Sequence, residues 1–437
     1  MEWYYALALL LGSVITMMLI GVPVAFAFMA SNLLGAWIFI GGSASVLQVV
    51  DNSTSLISRF QLAPVPFFIL MGALFFHSGL AVRAFDALDQ LLGRIPGRLC
   101  YLTVAGGTAF STLTGSSMAN TAMLGSLLVP EMRRRGYHWK MSLGPILGTG
   151  GLAMIIPPST LGVLLASLAE VDVGKVLMAG LLPGLLLAVF YTAMITVQIW
   201  RHPERTPSYE TPSSSISQKI SLITLNILPM GLVVLMVIGL IIFGIATPTE
   251  SAAFGVLGVV ILATLFRSLS IEVIQTSLKS TIAVSGMVFF IILNSSIFSQ
   301  LLAYSGASAG LLQFVTSFDV SIYVMLACIL CALLFIGMFM DPVSMMLITI
   351  PIFFPLAKAL GIDPIWFSLF MLMALEMSQT TPPFGLLLFV MLGVAPKGTT
   401  LRQVAVSAVP FLACDLVLII CMVAFPALVL YLPNLMG

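Results

Sequence analysis

Ile155-Ile156-Pro157-Pro158-Ser159-Thr160 is answered 225 positions later by Thr380-Thr381-Pro382-Pro383-Phe384-Gly385, so that one proline pair falls on the other. The same displacement lays Pro23 on Pro248, Pro130 on Pro355 and Gly136 on Gly361, where chance predicts fewer than one proline coincidence. The chain reads as a duplicated unit. Apolar residues are 60% of its 437 and charged residues 8%, against about 45–50% and about 25% in soluble domains, so lipid is the main solvent. In such a chain, hydrophobic segments interrupted by Gly and Pro at matching positions of two halves point to a secondary transporter with its site near mid-membrane.

Apolar stretches long enough to cross about 30 Å of hydrocarbon lie at 3–20, 22–41, 62–79, 141–169, 176–200, 220–243, 250–267, 281–304, 364–395 and 404–432, which predicts ten crossings. Two more segments, 97–130 and 321–357, are broken by Thr114-Gly115-Ser116-Ser117 and by Met340-Asp341-Pro342. Polar breaks at mid-segment suit re-entrant hairpins, because non-helical backbone survives at membrane depth only when buried in protein or facing a watery cavity. The fold class expected is an all-α polytopic membrane protein, with two repeats of about five spans and one hairpin each.

The 17 basic residues set the orientation. Arg94 and Arg98 precede the first hairpin, and Arg133, Arg134, Arg135 and Lys140 follow it, which places both its ends in the cytoplasm. One crossing later comes the acidic Glu170-Val171-Asp172, and one further come Arg201, Arg205 and Lys219. The second hairpin then begins and ends outside. Five crossings per unit is odd, so the repeats are inverted with respect to the membrane, with both termini predicted periplasmic. Met1 to Tyr5 lack a basic n-region, and the first apolar run is expected to be a retained span.

The domain plan is a first repeat over 1–200, a cytoplasmic linker over 201–219 and a second repeat over 220–437. Within the first repeat, spans fill 1–79, an interfacial arm 80–94, hairpin and broken helix 97–169, and a span 176–200. The second holds spans over 220–304, the hairpin 321–357, the broken helix 364–395 and a span 404–432. In the arm, Leu80, Phe85, Leu88, Leu91 and Leu92 share one helical face, as in a helix lying in the interface. It is either a lipid-facing connector or a link from a fixed scaffold to a moving part. The linker is rich in Pro and Ser.

If a helix starts at the first hairpin tip, Ser116 and Asn120 stand one turn apart beside unpaired N–H groups. Side-chain oxygens beside a helix terminus can hold a hard cation, while the N–H end attracts an anion. Capping of a buried break is the alternative. Pro157-Pro158 and Pro382-Pro383 each remove two backbone donors and predict discontinuous helices whose freed carbonyls need partners. Ionisable residues within apolar segments are His77, Glu250, Asp341, Glu376 and Asp415, and each is costly there. Asp341, at a tip, reads as an ion ligand. Glu376 is open between tuning the second site and a structural hydrogen bond, Glu250 reads as a helix cap, and His77 and Asp415 are expected near interfaces.

No HExxH, P-loop or GxSxG motif occurs, the three histidines are scattered, and the charge of +1 argues against nucleic acid. An ion gradient remains as the energy source. Cys328 and Cys331 have CxxC spacing but no second pair and no histidine nearby, so all five cysteines read as small core residues.

The runs Gly21-Val22-Pro23, Phe75-Phe76-His77-Ser78-Gly79-Leu80-Ala81, Gly115-Ser116-Ser117-Met118-Ala119-Asn120-Thr121-Ala122, Pro130-Glu131-Met132, Ile156-Pro157-Pro158-Ser159, Ala246-Thr247-Pro248-Thr249-Glu250 and Thr381-Pro382-Pro383-Phe384-Gly385 follow one another in a specific order. Together they resemble the large membrane subunit of tripartite ATP-independent periplasmic (TRAP) transporters over essentially the whole chain. The resemblance implies a sodium-coupled symporter in the bacterial inner membrane. Its substrates would be organic acids such as C4-dicarboxylates, sialic acids or other sugar acids. It further implies an elevator mechanism of the ion-transporter-superfamily type, with scaffold and transport domains, and no cofactor besides Na+ as coupling ion. The partners implied are a small four-helix membrane subunit and a periplasmic substrate-binding protein.

Carried onto the matching motifs, the sodium-binding candidates are Ser116, Ser117, Asn120, Gly150, Pro157, Gly337, Asp341, Thr380, Thr381 and Gly385. The substrate-binding candidates are Gly115, Ser117, Pro158, Ser159, Asp341, Ser344, Thr380 and Pro383. Competing readings are a stand-alone carrier that needs no binding protein, and a membrane-embedded enzyme or scaffold using Ser117 or Asp341.

Overall fold

The computed structural model describes residues 2–41, 62–91, 95–114, 116–207, 220–318 and 320–436, and among these it contains helices, turns and no strand. Gly115 and most of the linker, 208–219, lie outside the described residues.

Helix starts follow local chemistry. Thr247 and Glu250 form a capping box, as do Thr400 and Gln403, and Ser270, Ser321, Asp172 and Asp363 each accept a hydrogen bond from the first helical turn. The cap read for Glu250 is therefore present. Helix ends at Gly136 (φ 83°) and Gly361 (φ 72°) use the left-handed region that favours glycine, at positions 225 apart.

In chain order the first half contains α1 (Trp3–Leu19), α2 (Val24–Ala36, continued by a π turn Trp37–Gly41), α3 (Pro64–His77), α4 (Leu80–Leu91), α5 (Arg98–Thr114), α6 (Ser117–Arg134), α7 (Trp139–Gly151), α8 (Thr160–Leu168) and α9 (Val173–Arg201). The second contains α10 (Leu228–Ile242), α11 (Pro248–Leu265), α12 (Ile271–Tyr304), α13 (Ala307–Thr316), α14 (Ile322–Gly337), α15 (Pro342–Ala359), α16 (Pro364–Thr380), α17 (Leu386–Val394), α18 (Leu401–Ala424) and α19 (Ala427–Leu435). The displacement of 225 read in the prolines recurs in these bounds: α6 displaced is residues 342–359, the span of α15, and α7 and α16 start 225 apart. Packing recurs with it, since α7 lies against α18 as α16 lies against α9, and α3 against α11 as α12 against α2.

Several expectations need correction. Seven helices among the described residues are individually long and apolar enough to span, α15 of the second hairpin among them, and the other expected crossings are shorter or divided helices. The last segment, 404–432, is two helices, because Pro426 cannot donate into the ladder and α18 ends at Ala424. The chain has a second short helix, α13, at the position equivalent to the arm α4, and the sequence reading missed it. Cys328 and Cys331 are exposed on α14, unlike the buried Cys100 and Cys414, so they are not core residues.

The arm is tied at two places. Arg83 donates to Asn226 Oδ1 at 2.7 Å and lies 4.0 Å over the Phe266 ring, fixing α4 to the turn before α10 and to the end of α11. At the other end the buried Arg98 guanidinium, at the start of α5, pairs with Asp89 at 2.9 Å. α3 and α4 meet at a bend of 62°.

Below the first hairpin, His138 N–H donates to Arg205 O at 3.0 Å, and Gly136 packs on Pro207, so the start of the linker is folded against the hairpin base. Burial, with Arg205, Lys140 and Arg133 nearby, holds the His138 pKa below its ordinary 6.5. The folded state thus binds the proton less well than the unfolded state, and stability is lost as pH falls through 6.5 towards the lowered folded value. The midpoint of thermal unfolding should drop over that window, and the drop should shrink in His138→Asn, which keeps a capping side chain.

At Gly180 on α9 a Cβ would lie 2.0 Å from the backbone oxygen of Ile155, whereas at Gly231 on α10 nothing lies within 4 Å. Gly180→Ala should destabilise the chain by about 3 kcal/mol. Gly231→Ala should be neutral or stabilising by up to about 1 kcal/mol, and paired melting curves in detergent distinguish the two.

Candidate functional site

Both hairpin tips reach one cavity. A space of about 570 Å3 is lined by Ser116, Ser117, Met118 and Ala119 of the first tip and by Asp341, Pro342 and Val343 of the second. Met154, Thr160 and Gln379 from the two helix breaks close it on one side. Its opposite wall is α3, from Val65 to His77, with Ser280, Val284, Met287 and Val288 of α12. Two helix N-termini, those of α6 and α15, therefore start at this space and bring the positive ends of their dipoles with them.

At the first tip, Ser116 caps α6 by accepting from Ala119 N–H, so the capping alternative holds for that hydroxyl. Asn120 goes further. Its Nδ2 donates to Ser111 Oγ at 3.0 Å and approaches Gly107 O and Thr149 O at 3.4 Å each, which fixes the amide orientation. Asn120 Oδ1 then points elsewhere and, with the buried Ser117 and Thr121 hydroxyls, has no hydrogen-bond partner among the described residues. α7 approaches closely here: a Cβ at Gly150 would lie 2.0 Å from Thr121 Oγ1 and 3.7 Å from Ser117 O. The result is a set of oxygen donors around Gly150 with unused capacity, the donor chemistry that suits a hard cation.

The breaks themselves are stitched internally. Ile155 and Ile156 N–H both donate to Leu152 O, and Ser159 Oγ donates to Met154 O at 2.6 Å while accepting from Gly162 N–H. Ser159 is thus a cap for α8 and does not line the cavity; nor do Pro157 and Pro158, whose peptide bond is cis like that of Pro382-Pro383. In the second half Thr380 and Thr381 hydroxyls donate to Met377 O, and a Cβ at Gly385 would lie 2.4 Å from Gln379 O. Gly337 likewise serves close packing, because a Cβ there would lie 2.3 Å from Ser378 Oγ.

Asp341 is the N-cap of α15. Its Oδ2 accepts from Val343 and Ser344 N–H at 3.0 and 3.1 Å, and its Oδ1 accepts from the Ser344 hydroxyl. It lines the cavity; Ser344, Thr380 and Pro383 do not. Of the residues quoted as substrate candidates, the structure brings Ser117 and Asp341 together on one space. Asp415, expected near an interface, is instead buried and accepts from the Tyr191 hydroxyl at 2.5 Å. Glu376 is buried as well, without the structural hydrogen bond considered for it.

Sequence reasoning left Thr121, Thr149, Ser111 and Gln379 out of its site candidates and gave no role to His77, which lines the cavity. Gln379 had a usable signal: it stands 225 positions after Met154, and its Nε2 lies 3.5 Å from Met154 Sδ. Gly151 and Glu376 form a second touching pair at that displacement. Both pairs bring positions 225 apart into contact.

The family model described as the DctM component of the tripartite ATP-independent periplasmic transporter matches residues 11–428. The C4-dicarboxylate TRAP transporter large permease protein DctM of Rhodobacter capsulatus is 30% identical over 444 residues, covering 98% of this chain and 99% of that protein. Its namesake from Pseudomonas aeruginosa is 33% identical over 382 residues, 87% of each. Among solved structures the YdaH transporter of Alcanivorax borkumensis aligns with a TM-score of 0.67 over 93% of this chain and 99% of its own at 14% identity, a likeness of fold. The chain therefore belongs to the DctM family of TRAP transporter large permeases. It is a multi-pass membrane transporter subunit and not an enzyme.

Removing the Asn120 amide strips a donor from Ser111, Gly107 and Thr149 at once. Asn120→Ala should cost about 1–3 kcal/mol of stability, more than Ser116→Ala with its single cap at about 1 kcal/mol, as read by denaturation in detergent.

Proposed function

We propose that this chain is the sodium-coupled symport subunit of a TRAP transporter, importing an organic acid handed over by a periplasmic binding protein and working beside a small four-helix membrane subunit in the bacterial inner membrane. The observation that carries the reading is the convergence of both hairpin tips and both helix breaks on one cavity. Sodium is taken up by the oxygens around Gly150, namely Ser117, Asn120 and Thr121 with nearby carbonyls, and by their counterparts between Asp341 and the Thr380–Gly385 break. A carboxylate substrate lies at the α6 and α15 N-termini. The relatives' names supply the substrate class: C4-dicarboxylates, with sialic acid and ectoine in others.

The proposed division puts α1–α3 and α10–α12 in a scaffold and the hairpins, broken helices, α9 and α18 in a transport domain, as two inverted repeats. With the basic loops in the cytoplasm and both termini outside, the tip cavity lies beside the cytoplasmic half of α12, at Ser280 to Val288. A second cavity, about 860 Å3, separates Ile292 to Gln300 of the same helix from Ile350 to Lys358 of α15 nearer the outside. An elevator stroke carrying the tips from one level to the other spans about twelve residues of α12, or about 18 Å at 1.5 Å per residue.

The test reconstitutes the chain with its small subunit and binding protein in vesicles, with labelled dicarboxylates and sugar acids offered singly. Uptake that needs inward sodium and the binding protein, ignores ATP and falls at least tenfold in Ser117→Ala or Thr121→Ala is the expected result. Equal uptake in choline buffer removes sodium coupling, and equal uptake without the binding protein makes the chain a stand-alone carrier. In detergent, sodium but not choline should raise the melting temperature of the wild type, by mass action on the folded state, and should not raise that of Asn120→Ala.

A further inference from the structure

Glu376 stands one turn before Thr380 on α16, fully buried, and neither carboxylate oxygen has a hydrogen-bond partner among the described residues. The carboxyl is pressed on the backbone of α7, where a Cβ at Gly151 would lie 1.7 Å from Oε1. Asp415 on α18, equally buried, takes a hydrogen bond from the Tyr191 hydroxyl of α9 and lies within Coulombic reach of Glu376. The other ionisable groups facing the pair are Tyr191 and Cys414. Lys140, Lys175, Arg201 and Lys358 stand near the ends of α7, α9 and α15, as Asp363 and Arg402 do at the starts of α16 and α18. Neither carboxyl lines the tip cavity or the outer one.

Two carboxylates in a membrane interior with no basic side chain beside them among the described residues carry a desolvation cost that proteins remove by binding positive charge. Like charges buried within Coulombic reach of each other do not both stay ionised without it. We propose that Glu376 and Asp415 hold one monovalent cation between them, a proton or a sodium ion, at a buried site separate from the tip-lined cavity. A proton would rest on Glu376, leaving Asp415 as the carboxylate that Tyr191 donates to; this fits the closed packing at Gly151 without movement. Sodium would draw one oxygen from each carboxylate and the Tyr191 hydroxyl oxygen. Because the pair joins α7, α9, α16 and α18, the bound charge belongs to the same body as the helix breaks and goes where they go.

Infrared spectra of the full chain in lipid nanodiscs test this at mildly alkaline pH, where exposed carboxyls are ionised. With choline as the cation, a proton at the site gives a carboxylic-acid carbonyl band that shifts on labelling of glutamate with a heavy carboxyl carbon and disappears in Glu376→Gln. A site that takes sodium loses the acid band when sodium replaces choline and gains a sodium-dependent carboxylate stretch, and that sodium-dependent change is lost in both Glu376→Gln and Asp415→Asn. The glutamate labelling reads the wild type alone, so the result stands if a variant fails to fold. Wild-type spectra with no acid band and no sodium-dependent glutamate shift overturn the proposal, as does any such signal that persists in Glu376→Gln. The readout involves no transported substrate, so its failure is distinct from failure of the symport reading.

Discussion

Backbone that leaves the helical ladder inside hydrocarbon must find every hydrogen-bond partner within the protein, and among the described residues this chain leaves the ladder at its two proline pairs and at its two hairpin tips. At the two proline pairs the solution is a short stitch: Ser159 spans from Met154 O to Gly162 N–H, and Thr380 and Thr381 fold back onto Met377 O. At the two tips it is an N-cap, Ser116 in one and Asp341 in the other. Close packing does the rest, because glycine at 150, 151, 180 and 385 lets neighbouring backbone or side-chain oxygens approach to distances that no Cβ would permit. The cavity exists because these four breaks are gathered together.

Much of this was legible in the sequence because proline and glycine leave marks that do not depend on tertiary context. The proline pairs, the polar tips and the capping Thr247-Pro248-Thr249-Glu250 each stand where they were read. The ordered motifs also named the family correctly. Harder to see were features set by what lies across a helix interface. Asp415 looks peripheral in an apolar run, and only the approach of Tyr191 from α9 makes it a buried partner. Thr121 and Thr149 look like ordinary small polar residues until α7 closes on α6 at Gly150. The helix α13 was missed because Ala307–Thr316 lacks the charged face that marks α4. Cys328 and Cys331 show the converse error: in lipid an apolar helix can turn such residues outward at no cost.

The two halves share a plan but not a chemistry. At the first tip the donors are neutral hydroxyls and an amide; at the second the only charged group is Asp341, already bonded through both of its oxygens. Where the halves meet, one contributes Gly151 and the other Glu376. A strictly symmetric pair of glutamates would crowd two carboxyls at that contact, and a pair of glycines would leave a void. The divergence is what allows a single carboxyl to occupy the seam.

The arm α4 is pinned to one bundle through Arg83 and to the other through Asp89. The Arg98 contact is shielded from water, whereas the Arg83 contact is open. In the elevator stroke proposed above, sliding of the hairpin past its neighbours would be taken up along this dozen-residue rod, whose inner joint is the more buried. The more open joint is the outer one, beside Asn226 and Phe266, so under that proposal this helix would act as a tether on the travel of the hairpin.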